Sequence, residues 1–356
     1  MSKLLSIIIP LYNSAQWLPK CIESALNQDV AEEQLEIICV NDGSPDNSAD
    51  IVREYQAKHP KSIVLLEQEN QGPSGARNNG MRHATGKNLC FLDPDDFLQP
   101  NVLGGLTKRM EDEQLDMLRF NYQIVDENYN HLEKRQFEKD FDYSSQLMTG
   151  AEFLANRLDI ACHIWKYMYR TEIITKNGIW CFTGDYFDDT PWLPMVLMNA
   201  KRMDVCNTVV HNYQERSDSL VKAKTLQAVR RQNDGFILLL SLLKEEMCVL
   251  QGGESHRENM RALSTLAIPG ETLKKILQWY NMIFAHATVS LLTNVAAKDY
   301  DSCNLVLQQI RQIETSKLSL KKAIRINKKK IILFNISPFL LIKVIRLKTK
   351  FAGGRL

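Results

Sequence analysis

Four short apolar runs, each closed by a polar cluster and followed by helical periodicity, constrain this 356-residue chain more than any other feature. They are Leu4 to Ile9 (LLSIII), Leu35 to Val40 (LEIICV), Ile63 to Glu67 and Leu89 to Leu92. Such runs do not alternate between a core face and a solvent face, so they read as strands buried on both sides. Between the first two, Trp17, Leu18, Cys21, Ile22, Ala25 and Leu26 recur at helical spacing, with Ser14 in the place of an N-cap. Further helices are expected over Ser48–Lys58, from near Ser74 to Ala84, and from about Pro100 to Glu113, ahead of another apolar run at Leu115–Phe120. This alternation predicts an α/β fold: a Rossmann-like, mostly parallel sheet with helices on both faces and right-handed crossovers. Ligands of such sheets bind beyond the carboxyl ends of the strands. Pro10–Asn13, Asn41–Asp46 and Asp93–Asp96 all fall at that edge.

Residues 121–220 are mixed and rich in aromatics. After about 220 the pattern turns helical, with breaks at Gln251-Gly252-Gly253 and Ala267-Ile268-Pro269-Gly270, so a boundary is placed there. Composition adds exclusions. With 44% hydrophobic and 24% charged residues, the chain is neither disordered nor a polytopic membrane protein. No two of the eight cysteines lie closer than 18 residues, which removes CxxC redox and zinc patterns and suggests reduced thiols in a cytosolic protein. No secretory leader is visible at the start. From Lys317 to Leu356 there are twelve Lys/Arg and no Asp/Glu, which leaves residues 1–316 at a net charge of −10. A basic tail on an acidic body points to an anionic surface. The apolar run Ile331–Ile342 between its cation clusters favours a membrane surface over nucleic acid, and at twelve residues it is too short to span a bilayer.

Asp93-Pro94-Asp95-Asp96 is the most informative cluster. Three carboxylates in four residues repel one another unless a cation sits between them. Mg²⁺ or Mn²⁺ suits an all-oxygen site of one or two carboxylates completed by phosphate oxygens. A solvated acidic helix cap is the plainer alternative. Gly72 and Gly75, opening the third helix, let backbone N–H groups approach an anion, and Arg77, Arg82 and Lys87 add positive charge.

SIIIPLYN (6–13), ICVNDGSPDNS (38–48), ENQGPSGARNNGMRHATGKNLCFLDPDD (69–96) and FDDTPWL (187–193), in that order, resemble the inverting nucleotide-sugar glycosyltransferases of family 2. The likeness covers roughly residues 1–220. It implies a GT-A fold with a nucleotide-binding half (1–120) and an acceptor half (121–220); the residue pattern and charge add a helical region (221–316) and a basic, amphipathic membrane-associating tail (317–356). It implies that Pro10, Tyr12 and Asn13 line the nucleobase pocket with Tyr12 stacking on the base, and that Asp42 hydrogen-bonds the base. Gly72 and Arg77 would lie by the ribose or diphosphate, Asp93 would touch the ribose or sugar, and Asp95, with Asp93, would hold Mn²⁺ or Mg²⁺; Asp96 is given no firm part. The attacking hydroxyl needs a base on the far side of the sugar ring. In the family that base belongs to a Glu-Asp pair before a helix. Here the pair is Asp188-Asp189, with Asp189 as the expected base, Asp188 in support and Asp185 a lesser candidate. His211 or Arg216 is a candidate for the diphosphate, and Trp165, beside Lys166 and Tyr169, is a candidate sugar platform or a core residue.

The expected activity is that of a hexosyltransferase-type enzyme moving a sugar, from a UDP-sugar, to a hydroxyl of a surface polysaccharide or lipid-linked glycan, at the inner face of the cell membrane. Two rivals remain: a sugar-nucleotide-binding scaffold, and a nucleotidyltransferase. The latter wants a glycine-rich basic loop after the first strand, where this chain has Pro10-Leu11-Tyr12-Asn13.

Overall fold

The computed structural model describes residues 3–132, 141–158, 162–183, 189–216 and 225–313, with short pieces at 330, 334–335, 337–338 and 341–345. Eight strands form one sheet: β1 (Leu5–Leu11), β2 (Leu35–Asn41), β3 (Ile63–Glu67), β4 (Asn88–Phe91), β5 (Phe97–Leu98), β6 (Met117–Val125), β7 (Tyr167–Arg170) and β8 (Met203–Gln214). Their order is β3-β2-β1-β4-β7-β6-β8-β5. The first half is parallel throughout: β1 pairs with β2 and β4, and β2 with β3. Both central strands are buried along their whole length, as their unbroken apolar runs require. The second half departs from simple alternation. β7 enters antiparallel between β4 and β6, so the run at Leu115–Phe120 feeds a strand that does not adjoin β4. β6 and β8 then run parallel, with a register shift near Asn121.

Strand alternation sorts the core onto two faces. Ile7, Ile9, Ile37 and Cys39 pack with Leu18, Ile22, Ala25, Val52 and Leu103 from three helices. Ile38 and Val40 point the other way and meet Ala76 of the helix Gly72–His83. Burying each such Leu or Ile contributes about 1.5–3 kcal/mol. Gly80 lets that helix lie close to β1, since a Cβ there would stand 2.5 Å from Ile8 Cγ2. One local expectation fails. Ser14 does not cap the first helix, which spans Leu18–Leu26 from an N-cap at Trp17; its hydroxyl donates to the Tyr12 carbonyl at 3.0 Å instead. Pro19 at the helix start explains the delay, because its fixed φ suits the first turn.

The chain divides into a sheet-bearing unit up to about residue 218 and a second unit beyond it. The second is helical: Leu226–Leu250, Arg261–Ser264, Gly270–Lys298 and Cys303–Ile313. Among the described residues no disulfide links the cysteines, and no helix is long and apolar enough to cross a membrane. Most of the basic tail lies outside the described residues. Within the described part, Leu341, Ile342 and Ile345 are buried and Lys343 is exposed.

Glu246, on the helix Leu226–Leu250, is fully buried, and burial raises its carboxyl well above the ordinary 4.5. Tyr280 opposes that shift and Glu245 adds to it. The folded state therefore holds the proton more tightly than the unfolded chain does. The contribution of Glu246 is fully present below the unfolded pKa and is lost as pH rises towards the folded one. Glu246→Gln removes this loss and should raise the melting temperature at pH 8 by about 2–4 °C for each kcal/mol recovered. The gain should shrink at pH 5; melting curves at both values are the check, and an equal shift at the two would refute the ionisation argument.

Candidate active site at the sheet edge

The loops after β1 and β2 are tied to each other by hydrogen bonds that the local sequence supplies. Asp42 N–H donates to the Leu11 carbonyl at 2.9 Å, Asn13 N–H to Ser44 Oγ at 3.2 Å, and Ala15 N–H to Asp46 Oδ2 at 2.9 Å. Asn13 takes a left-handed backbone (φ 51°), which Asn tolerates better than most residues. Tyr12 is left 54% exposed at this rim, a large ring with one face available. Pro10 lies lower, buried within β1 opposite Val40.

Asp42 is buried and already engaged. Gln68 Nε2 at 2.7 Å and Gln71 N–H at 2.8 Å both donate to its Oδ1, and Asn70 Nδ2 donates to its carbonyl at 3.0 Å. The carboxylate thus also clamps the segment that leads into Gly72, the first residue of the third helix, whose φ of 78° favours glycine. No sequence periodicity announces Gln68 or Gln71; their part follows only from the approach of two loops.

The three aspartates after β4 take three different positions. Asp93 Oδ1 accepts from Arg77 Nη2 at 2.8 Å, so the third helix supplies its counter-charge. Asp95 pairs with Arg216 at the end of β8, Nη2 to Oδ2 at 2.9 Å, and the Arg216 guanidinium also lies 4.1 Å from the centre of the Trp17 ring. Asp96 is buried, accepting Gln214 N–H at Oδ1 (2.8 Å) and facing His211 Nε2 from Oδ2 (2.8 Å). Asp96 is therefore an anchor that pins the acidic loop to β8. His211 is wholly buried behind it and cannot reach a diphosphate, which corrects that candidate. Burial disfavours charge on both partners: it pulls His211 down to about 4 and raises Asp96 well above the usual carboxylate range.

Asp93 and Asp95 keep 25% and 24% of their side chains exposed, enough to meet a ligand. Burial, then repulsion from Asp96 and Asp93, pushes Asp95 up to about 7 even with Arg216 in contact. That carboxylate is short of positive charge. Among the described residues no three His, Cys, Asp or Glu side chains form a ready-made metal cage. Two partly exposed carboxylates at one strand end fit a hard divalent cation that brings its remaining ligands with the substrate.

Asp189 opens the helix Asp189–Asn199, where the helix dipole favours a negative charge, and its side chain is 29% exposed. Asp185 and Asp188 lie outside the described residues. Beside Asp189 is His163, Nδ1 4.0 Å from Oδ2. The His163 ring lies nearly parallel to Trp165 (5.1 Å, 21°), and Trp165 is likewise stacked with His211 (4.3 Å, 21°). A ladder of rings thus joins the anchor Asp96 to Asp189. Trp165 is buried inside it and is a core residue, not a sugar platform. Lys166 is buried too, its ammonium 4.5 Å from the centre of the Tyr122 ring.

The family model described as glycosyl transferase family 2 matches residues 6–173. The uncharacterized glycosyltransferase EpsJ of Bacillus subtilis is 30% identical over 224 residues, 62% of this chain and 64% of its own length. The minor teichoic acid biosynthesis protein GgaB of the same organism is 45% identical over 93 residues, 26% of this chain and 10% of its own. The chain thus spans less than two thirds of these relatives. Among solved structures, S. aureus TarS 1–349 in complex with UDP-GlcNAc superposes with a TM-score of 0.56 at 18% identity, covering 87% of this chain and 92% of that one, which shows a shared fold.

Proposed function

We propose that this chain, whose residues 6–173 match glycosyl transferase family 2, transfers a sugar, with inversion, from a UDP-sugar to a hydroxyl of a surface polysaccharide or lipid-linked glycan. The observation that carries the reading is the division of labour after β4. Asp96 is withdrawn as an anchor, while Asp93 and Asp95 face the edge with Arg77 and Arg216 beside them. UDP as the carrier is supported by TarS, whose structure holds UDP-GlcNAc, and a glycan acceptor of the cell surface by GgaB, a minor teichoic acid biosynthesis protein.

In this reading Tyr12 stacks on the base, Asn13 and Asp42 shape its pocket, and the N-terminal turn at Gly72 faces the phosphates. Arg77 neutralises Asp93 and keeps it in place by the ribose. Asp95, with Asp93, would hold Mn²⁺ or Mg²⁺, whose chemistry there is to neutralise charge on the departing diphosphate. Asp189 accepts the proton of the acceptor hydroxyl as that oxygen attacks the anomeric carbon and the bond to the diphosphate breaks. Asp188 would support it. The tail would bring the enzyme to an anionic membrane through its cations, since Leu341, Ile342 and Ile345 are buried.

The test is a thermal-shift screen of nucleotide sugars with and without Mn²⁺. A bound donor at a hundred times its Kd should stabilise the protein by about 2.7 kcal/mol. A shift with UDP-sugars that grows with Mn²⁺, together with UDP release in the presence of glycan acceptors, is the expected result. Binding with no sugar transfer to any acceptor would favour the scaffold.

A further inference from the structure

We propose that His163 is a positioning residue of the transfer reaction: its Nδ1–H holds Oδ2 of Asp189 towards the acceptor hydroxyl, and the Trp165 stack holds His163. The inference rests on Asp189 being the base. Its own grounds are geometric. The 4.0 Å between Nδ1 and Oδ2 sets the two groups side by side, beyond hydrogen-bond length in this state. Catalytic hydrogen bonds are often loose without substrate and tighten in the complex. The ring cannot swing freely, because it lies against the buried indole of Trp165, which is stacked in turn with His211. His211 is bound to Asp96, so the same ladder ties this ring to the acidic loop after β4.

The electrostatics suit a donor that is not a cation. Burial, with Lys166, Arg119 and His211 nearby, lowers His163 well below the ordinary 6.5. It therefore stands next to Asp189 as a neutral imidazole. A fixed cation there would stabilise the carboxylate and weaken it as a base. A neutral N–H orients the oxygen at much smaller cost to basicity. The side chains of His163 and Asp189 keep 31% and 29% of their surface exposed.

The experiment compares His163→Phe, which keeps a ring but has no N–H, with His163→Asn, whose amide can donate from near the place of Nδ1. With UDP-sugar and a glycan acceptor, His163→Phe should lower kcat roughly tenfold to a hundredfold, the scale of a misplaced catalytic group. Its donor KM and UDP-induced thermal shift should stay at the wild-type values. His163→Asn should recover most of the loss. In the Asp189→Asn background, adding His163→Phe should cause no further fall. Wild-type kcat for His163→Phe, or equal loss in both variants, would overturn the inference in favour of mere packing. Should His163→Phe not fold, His163→Ala is read against His163→Asn in the same way. Asp189→Asn alone separates the two claims. If it retains wild-type turnover, the base assignment falls. If it is inactive while His163→Phe is unimpaired, only the role of His163 falls.

Discussion

Asp189→Asn is expected to reduce sugar transfer by about two to four orders of magnitude, the usual contribution of a general base. Asparagine keeps the size of the side chain and can still meet the first turn of the helix Asp189–Asn199, so the fold should hold. The lost helix-dipole interaction costs only about 0.3–1 kcal/mol. What disappears is the lone pair that takes the proton of the attacking hydroxyl. Donor binding, built from the loops after β1, β2 and β4, should be nearly unchanged. Initial rates of UDP release with acceptor, set beside the UDP-induced thermal shift, read the two effects separately. Turnover within threefold of wild type would move the base elsewhere, Asp188 being the next to test.

Asp95→Asn should be comparably severe in activity and opposite in stability. Asp95 is one of two partly exposed carboxylates at the edge, and its removal should cost about 10²–10⁴ in kcat/KM, the scale of several kcal/mol of charge stabilisation on a leaving diphosphate. The Mn²⁺-dependent part of the donor thermal shift should vanish with it, and EDTA should silence the wild-type enzyme. The apo protein should not melt lower. Its pKa of about 7 shows that the folded state disfavours the ionised form, despite Arg216. A carboxyl raised in this way loses stability as pH climbs from the unfolded 3.8 towards 7. The amide escapes that loss, so at pH 8 the variant should equal or exceed the wild type in melting temperature. Charge held against its own stability is common where a ligand completes the balance. Full activity of Asp95→Asn, or of the wild type in EDTA, would overturn the metal assignment.

The legible and illegible parts of this site differ in physical kind. Asp93, Asp95 and Asp96 could be placed at a strand end because β4 is a short apolar run that stops just before them. Which of the three serves the ligand could not. That depends on β8, where His211 and Gln214 take Asp96 out of play across more than a hundred residues of sequence. Arg77 was legible as a cation on a helix that starts at glycine, but its partner Asp93 was not. His163 gave no signal at all, since one histidine before a tryptophan has no periodicity; only the stack on Trp165 and the nearness of Asp189 give it a part.

The amino-acid sequence by itself determined β1 to β4 and β6, the helices between them and the edge at which polar loops gather. Burial of an apolar run is a local property, set by which side chains water rejects. The tertiary structure alone decided that β7 enters antiparallel between β4 and β6, that Arg216 meets Asp95, and that a ladder of rings joins Asp96 to Asp189. Those pairings compare segments far apart in the chain. Their free energy exists only once the sheet has brought them within a few ångströms, because charge pairing and ring stacking fall off steeply with distance while the hydrophobic pattern that builds the sheet does not depend on it.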